Sequence, residues 1–217
     1  MTQPRSKRLS WTELPPQNWA ERQAHRIAGE VTRLRGRNSA QWLADRTKEL
    51  GYEVSRSVIS DLENGRRRYV TTAELVILAA ALNTSPVVLI YPGPYDIHVE
   101  LAPGLRVIEF DAAQWFSGFD THLFRVGEVI DVARPDMLEK FQQWQKWQEN
   151  TEMLDQWREL KELIATRDNM DHPDHVAALN RQIRSVEDRL IRLLGRKLDS
   201  DAVDPPVNIK IEGGDDA

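Results

Sequence analysis

Residues 55–68 read SRSVISDLENGRRR, and this stretch decides the fold. On a helix built from it, Val58, Ile59 and Leu62 lie on one side and the polar residues lie on the other. The Asn-Gly pair at 64–65 predicts the end of that helix, because these residues adopt the left-handed conformation at lowest cost. Three arginines follow directly. An apolar face, an opposite hydrogen-bonding face and cations at the helix end are what a helix in the DNA major groove needs.

Capping signals on both sides of this stretch predict four more short helices. Apolar spacing predicts one helix over residues 18–35, and Ser39 can cap the next one. Thr71 and Glu74 form a capping box that starts a fourth helix. Pro86 opens a fifth, since proline is favoured at the first helical position. Residues 17–92 are therefore predicted to fold as a compact five-helix domain.

The rest of the chain divides into four segments of different composition. In chain order they are a flexible basic arm (1–16), a connector or small α+β subdomain (93–135), a helical hairpin (136–198) and a disordered acidic tail (199–217). In the connector, apolar residues on both sides of Pro103-Gly104 predict a small β-hairpin. Asp111 is placed to cap a helical turn after it. The predicted fold is mainly α.

Two apolar stripes carry the prediction of the helical hairpin. The first consists of Leu138, Phe141, Trp144, Trp147, Leu154, Trp157, Leu160 and Ile164, and the second of Val176, Leu179, Ile183, Val186, Leu190 and Leu193. Alternating spacings of three and four in the second stripe are typical of a coiled coil. A connection of about five residues predicts an antiparallel pair. The stripes either pack only within the chain, or the tryptophan-rich first helix keeps apolar surface that a second copy covers.

The charge of the chain changes sign along its length. Residues 1–91 carry 14 Lys and Arg against 9 Asp and Glu, whereas residues 92–198 carry 14 against 19. The overall net charge of −5 alone argues against nucleic acid as a partner. A basic N-terminal part joined to acidic downstream parts nevertheless fits a DNA footprint confined to one domain.

Several classes of protein are excluded or disfavoured by what the sequence lacks. The chain has no cysteine, which excludes a disulfide scaffold and a cysteine-based zinc site. It has no apolar run long enough to span a membrane and no signal peptide, so a cytoplasmic protein is expected. His172 and His175 lack a third ligand, which favours surface and capping roles over a metal site. No phosphate loop or nucleophile–base arrangement is evident, so neither a cofactor nor enzymatic activity is expected.

Three motifs follow one another in the N-terminal part: S-x-x-x-L-A from Ser39, I-S-D-L-E-N-G-R from Ile59 and L-N-x-S-P from Leu82. Together they resemble the Cro/C1-type helix-turn-helix family, also called the Xre family, over roughly residues 28–91. The long turn between the second and third helices is similar to that of many actinobacterial members. Ala40 stands where members of the family, phage repressors among them, often have glutamine.

The resemblance implies that the helix over 55–64 reads bases in the major groove. The base-reading positions fall on Arg56, Ser57 and Asp61, with Ser60 beside them. Arg56 can donate two hydrogen bonds to guanine, worth about 1–3 kcal/mol of discrimination. Asp61 can only accept, so it favours a cytosine amino group or holds Arg56 in place.

Phosphate contacts are implied at two other places, the end of this helix and the backbone amides that follow Ser39. The full predicted DNA-binding set is Ser39, Ser55, Arg56, Ser57, Ser60, Asp61, Asn64, Arg66, Arg67 and Arg68. Glu63 is expected to make an internal polar contact instead, since a phosphate would repel it.

These observations predict a sequence-specific regulator of transcription that binds double-stranded DNA. Repression is favoured, of the phage immunity type or chromosomal, because occupying a promoter needs no further contacts. A homodimer through the C-terminal helices would match an inverted repeat. Two alternatives stay open: an antitoxin-type regulator that binds a partner protein through those helices, and a helical interaction scaffold that does not bind DNA. For the aromatic residues around Trp115, a core role is favoured over ligand sensing.

Overall fold

The computed structural model describes residues 9–119, 136–199 and 203. The chain divides into two compact units, Met1–Gly127 and Glu128–Ala217. The elements of the first unit are α1 (Trp19–Arg35), α2 (Ala40–Glu49), α3 (Arg56–Asn64), α4 (Thr72–Ala81), α5 (Pro86–Ile90), β1 (His98–Ala102), β2 (Leu105–Ile108) and α6 (Glu109–Phe116). Those of the second are α7 (Asp136–Asp168) and α8 (Pro173–Leu194). The predicted mainly helical fold, with five helices first, a small two-stranded sheet and a C-terminal helix pair, is confirmed.

Three sequence-based expectations fall on residues outside this description. They are the basic residues before Leu9, the apolar stretch around 123–132 and the acidic tail over 199–217 apart from residues 199 and 203.

The helices begin where their capping residues predict. The side chain of Ser39 accepts a hydrogen bond from the backbone amide of Trp42 in α2, and that of Ser55 accepts one from the backbone amide of Val58 in α3. Both halves of the capping box between Thr71 and Glu74 are present at the start of α4. Gly65 ends α3 in the left-handed conformation with a φ of 81°.

The first unit is built on one apolar core to which each of the first five helices contributes. Their most deeply buried side chains are Val31, Leu43, Ile59, Leu78 and Leu89. Burying a side chain of this size contributes about 1.5–3 kcal/mol. Because α3 sends a side chain into this shared core, its rotation about its own axis is fixed.

The β-hairpin and α6 pack on that same core. Strands β1 and β2 pair antiparallel with Val99 opposite Val107, and Val99 is buried. The backbone amide of Glu109 donates to the carbonyl of Ile97 at 2.8 Å, so α6 starts as soon as β2 ends. Asp111 therefore lies inside the first turn of α6 rather than capping it, which corrects the sequence-based expectation.

Residues 9–16 differ from the flexible arm that their composition predicts. The indole Nε1 of Trp11 donates to the carbonyl of Leu62 at 3.0 Å, and the Trp11 amide donates to the carbonyl of Asn64 at 3.0 Å. These carbonyls belong to the last turn of α3, where helix carbonyls lack intrahelical partners. The segment therefore packs against the end of α3.

The second unit is an antiparallel helix pair of unequal lengths, with 33 residues in α7 and 22 in α8. Its core consists of Leu160, Ile164, Ile183, Val186 and Leu190. Much of the predicted stripe on α7 lies outside this core, since Leu138 is 66% exposed and Phe141 51%. The coiled-coil character of the pair stays a prediction.

Across the described residues, none of the helices combines the length with the apolar character that crossing a membrane requires.

Candidate nucleic-acid interface

Hydrogen bonds of the buried Thr47 side chain stabilise the turn between α2 and α3. The hydroxyl of Thr47 donates to the carbonyl of Ala44 at 2.8 Å and accepts from the amide of Val54 at 2.9 Å. Thr47 is fully buried, so each partner is sheltered from water. The long turn is therefore an ordered connection that fixes how α3 is presented.

The outward face of α3 carries the residues that the sequence assigns to base reading. Arg56 and Ser57 are exposed, and Ser60 and Asp61 are partly exposed. Ile59 points the other way, into the core. Within the described residues, no hydrogen bond or ion pair engages the Arg56 side chain, which leaves its guanidinium open to a ligand.

Asp61 faces Arg66 rather than Arg56. The Asp61 Oδ1 lies 3.5 Å from Arg66 Nη1, and the two side chains are 33% and 58% exposed. The sequence-based alternative in which Asp61 holds Arg56 in place is therefore not what the structure has. Arg66 keeps more than half of its surface open at the end of α3.

Arg67 is held by an ion pair inside the unit. Its Nη1 and Nη2 donate to the two carboxylate oxygens of Glu74 at 2.6 and 2.9 Å. Burial alone would raise the pKa of the Glu74 carboxyl, but hydrogen bonds from Thr71 and Arg67 outweigh it and hold that pKa below its ordinary value. The guanidinium of Arg67 also lies over the ring of Tyr69, 4.2 Å from its centroid.

Arg68 is likewise directed inward. It donates to Glu21 Oε2 at 2.8 Å and to the carbonyl of Leu14 at 2.6 Å, and it lies over the ring of Trp11. Only 13% of the Arg67 side chain and 18% of the Arg68 side chain are exposed. Phosphate contacts were expected from all three arginines, but the structure presents only Arg66 openly.

Ser39, Ser55 and Asn64, the remaining predicted DNA-binding residues, make local bonds at helix ends. Ser39, an exposed residue, accepts from the Trp42 amide at 3.1 Å and so caps the start of α2. The hydroxyls of Ser55 and Ser57 lie 2.9 Å apart, and Asn64 Nδ2 donates to the carbonyl of Ser60 at 2.8 Å. These bonds order both ends of α3.

The internal role expected for Glu63 is confirmed. Arg35 Nε donates to Glu63 Oε1 at 2.9 Å and Arg35 Nη2 to Oε2 at 3.1 Å. This two-point ion pair is largely covered and joins the end of α1 to the back of α3. Sequence reasoning missed the partner, since nothing local links residues 28 positions apart.

The described residues contain no group of three or more His, Asp or Glu placed to hold a metal ion.

Comparison with known families gives one match. A helix-turn-helix family model matches residues 47–89, which run from the end of α2 through α3 and α4 into α5. No curated protein and no solved structure shows significant similarity to the chain.

Proposed function

Because the chain carries a Cro/C1-type helix-turn-helix domain, the hallmark of a family of DNA-binding regulators, we propose that it is a sequence-specific transcriptional repressor that reads double-stranded DNA. The observation that supports this most directly is the outward face of α3. Arg56 projects from it exposed and unengaged by the described residues, while Ile59 and Leu62 anchor the helix to the core.

Base reading is assigned to the first two turns of α3, inserted in the major groove. Arg56 donates two hydrogen bonds to guanine O6 and N7, and Asp61 accepts from a cytosine amino group. The hydroxyls of the shorter side chains Ser57 and Ser60 add hydrogen bonds to donors or acceptors on the base edges. These four side chains project from one side of the helix, as a single groove requires.

Phosphate contacts are assigned to the flanks of the same surface. We assign the phosphate contacts to Arg66 and Asn64 at the end of α3 and to the amides at the start of α2. Arg67 and Arg68 act indirectly in this proposal, since their pairs with Glu74 and Glu21 hold the loop after α3 in shape. A preformed loop loses less conformational entropy on binding.

Repression is the simplest outcome of such binding. A protein that occupies a promoter blocks polymerase without making any further contact, whereas activation needs a second surface that recruits it. The N-terminal unit supplies a DNA-reading face, and nothing further is required for repression.

A homodimer through α7 completes the proposal. Since α7 has 33 residues and α8 has 22, α7 is longer than α8 by about one-third of its own length. Near its N-terminal end, Leu138 and Phe141 are both more than half exposed. A second copy would cover them and bring two α3 helices to an inverted repeat. The antitoxin-type alternative uses the same surface for an unrelated protein.

Selection of bound duplexes from a random pool tests the proposal. The expected result is enrichment of one site that contains a guanine read by Arg56, arranged as an inverted repeat if two copies bind. Failure to enrich any sequence, together with weak binding that is the same for all duplexes, would favour the interaction scaffold. Enrichment of a single half-site with a monomeric protein would support DNA reading and contradict the dimer.

A further inference from the structure

A cleft of about 530 Å³ lies between α1 and the outer face of the β-hairpin, away from the residues that the family model matches. Its lining is Arg22, His25, Arg26, His98, Val99, Glu100 and Arg106. Five of these seven side chains are cationic or become cationic on protonation, and one is acidic. The volume is in the range of small-ligand sites in proteins.

The secondary structure brings these side chains together. Arg22, His25 and Arg26 are spaced three and four residues apart and so share one face of α1. His98 and Glu100 flank the buried Val99, so they project from the opposite face of the sheet. Arg106 stands directly across from Glu100 in the strand register. The hairpin is fixed to α1 by the indole of Trp19, which donates to the Glu100 carbonyl at 3.2 Å.

The single carboxylate in the cleft, that of Glu100, already accepts a hydrogen bond at each of its two oxygens. Glu100 Oε1 accepts from the Gly104 amide at 3.0 Å, and Oε2 accepts from Arg22 Nε at 2.8 Å. These hydrogen bonds, the one from Gly104 first, hold the pKa of Glu100 below its ordinary value. Glu100 thus neutralises Arg22 directly and acts on Arg26 and Arg106 only by electrostatic attraction without a hydrogen bond.

Arg26 and Arg106 are the cations of the cleft for which the described part of the chain shows no direct ion pair, although Glu100 attracts both of them and the buried Glu109 attracts Arg26. The Arg26 Nε is completely buried and has no hydrogen-bond partner there, although its guanidinium lies over the Tyr91 ring, 5.4 Å from the centroid. Arg106 makes one long hydrogen bond of 3.4 Å, to the carbonyl of His98. A guanidinium that lacks acceptors is costly to bury, and because the Arg26 side chain lines the cleft, an oxyanion there would supply acceptors for the nitrogens that face it.

We propose that this cleft binds a phosphate group, with Arg26 and Arg106 as its charged ligands and the imidazoles of His25 and His98 as additional donors. Guanidinium groups bind phosphate through paired hydrogen bonds, which accounts for the surplus of arginine over carboxylate here. The phosphate comes either from a free small molecule, which makes the cleft an effector site, or from the backbone of a duplex held by the N-terminal unit.

Titration of the full-length protein with inorganic phosphate, followed by phosphorus NMR line broadening at constant ionic strength, tests the site. The expected result is saturable binding that Arg106→Gln weakens about tenfold or more, with the same loss in Arg26→Gln. Lys48→Gln removes an exposed cation from α2 and is expected to leave binding unchanged. Arg106 is exposed, so its replacement leaves the fold intact even if Arg26→Gln does not fold.

Duplex binding by the same variants identifies the source of the phosphate. Free phosphate binding with an unchanged salt dependence of duplex binding supports an effector site. A salt slope reduced by about one in Arg106→Gln supports a backbone phosphate. If phosphate does not bind and the slope stays the same, or if Lys48→Gln weakens binding as much as Arg106→Gln, the proposal is overturned. Neither result depends on whether the random pool yields an operator, so this site and the repressor function fail separately.

Discussion

Trp11 lies directly against Gly65, so closely that a Cβ built at position 65 would stand 2.6 Å from the indole and from the Trp11 backbone nitrogen. Gly65 is also in the left-handed conformation, with a φ of 81°. The glycine that ends α3 is therefore required by its backbone angle and by the segment packed over it. The end of α3 and the segment around Trp11 are therefore packed together.

Gly65→Ala is expected to destabilise the N-terminal unit more than Gly51→Ala. Both glycines have positive φ, at 81° and 88°, so each alanine costs about 1 kcal/mol of backbone strain. Around Gly51 nothing lies within 4 Å, whereas at Gly65 the new methyl group displaces Trp11, at an additional cost of about 1–3 kcal/mol. Urea unfolding of the two variants measures the difference. Equal losses would show that Trp11 does not pack on Gly65 in solution.

Arg56→Ala is expected to relax specificity at one base pair. The loss of two hydrogen bonds to guanine removes about 1–3 kcal/mol of discrimination at that position. Competition binding with the selected duplex and with duplexes altered at each position measures it. Because Arg56 is exposed, thermal stability is expected to stay as in the parent protein. A uniform loss of affinity for every duplex would instead assign Arg56 to phosphate.

Arg66→Gln and Arg67→Gln are expected to act differently although the residues are adjacent. Arg66→Gln removes an open phosphate contact, so it weakens binding to all sequences alike and lowers the salt slope by about one. Arg67→Gln leaves Glu74 without its cation and is expected to lower the unfolding free energy, by about 1–3 kcal/mol. Salt titrations of binding and urea unfolding separate the two. The assignment is contradicted if Arg67→Gln changes the salt slope and leaves stability unchanged.

The ion pair of Glu74 predicts how stability depends on pH. Its folded-state pKa lies below the ordinary value of 4.5, so the folded state favours the ionised carboxylate more than the unfolded chain does. The stabilisation is present above about pH 4.5 and is lost as the pH falls through the lowered pKa. Glu74→Gln is therefore expected to be less stable than the parent at pH 7 and to approach it as the pH falls through the lowered pKa of Glu74. Glu53→Gln, a change at an exposed position, serves as control.

Leu138→Ser combined with Phe141→Ser is expected to weaken self-association without weakening the helix pair. Both side chains lie outside the core of the second unit, and both are more than half exposed. Sedimentation at a series of concentrations measures the dimer, and circular dichroism checks the helix content. Gln145→Ser, another exposed position on α7, is the matched control. A parent protein that remains monomeric at tens of micromolar would rule out the dimer.

Local signals in the sequence predict those parts of the fold that depend on neighbouring residues. The capping box of Thr71 and Glu74 and the left-handed stop at Gly65 are visible within four residues, and both are confirmed. The internal role of Glu63 follows from its negative charge, which a phosphate near the end of α3 would repel. Each of these features is decided by short-range chemistry.

The contacts that the sequence does not predict join residues far apart along the chain. Arg68 pairs with Glu21 across 47 positions, and Trp11 bonds to Leu62 across 51. Read locally, Arg66 to Arg68 are three equivalent cations beside a groove-binding helix. Tertiary packing distinguishes them, because Arg67 turns inward to Glu74 on α4, Arg68 turns inward to α1 and the segment before it, and Arg66 stays open.

The pairing of arginines inside the N-terminal unit bears on how the protein finds its site. Five of its described arginines lie within about 3 Å of carboxylates of the same unit, namely Arg22, Arg33, Arg35, Arg67 and Arg68. Each such pair is close to neutral at a distance, so the long-range field of the unit follows its remaining charges rather than these five arginines. Under the proposed function, we therefore expect these arginines to add little to the attraction toward unrelated sequence, and occupancy of the site to depend mainly on a few matched bases.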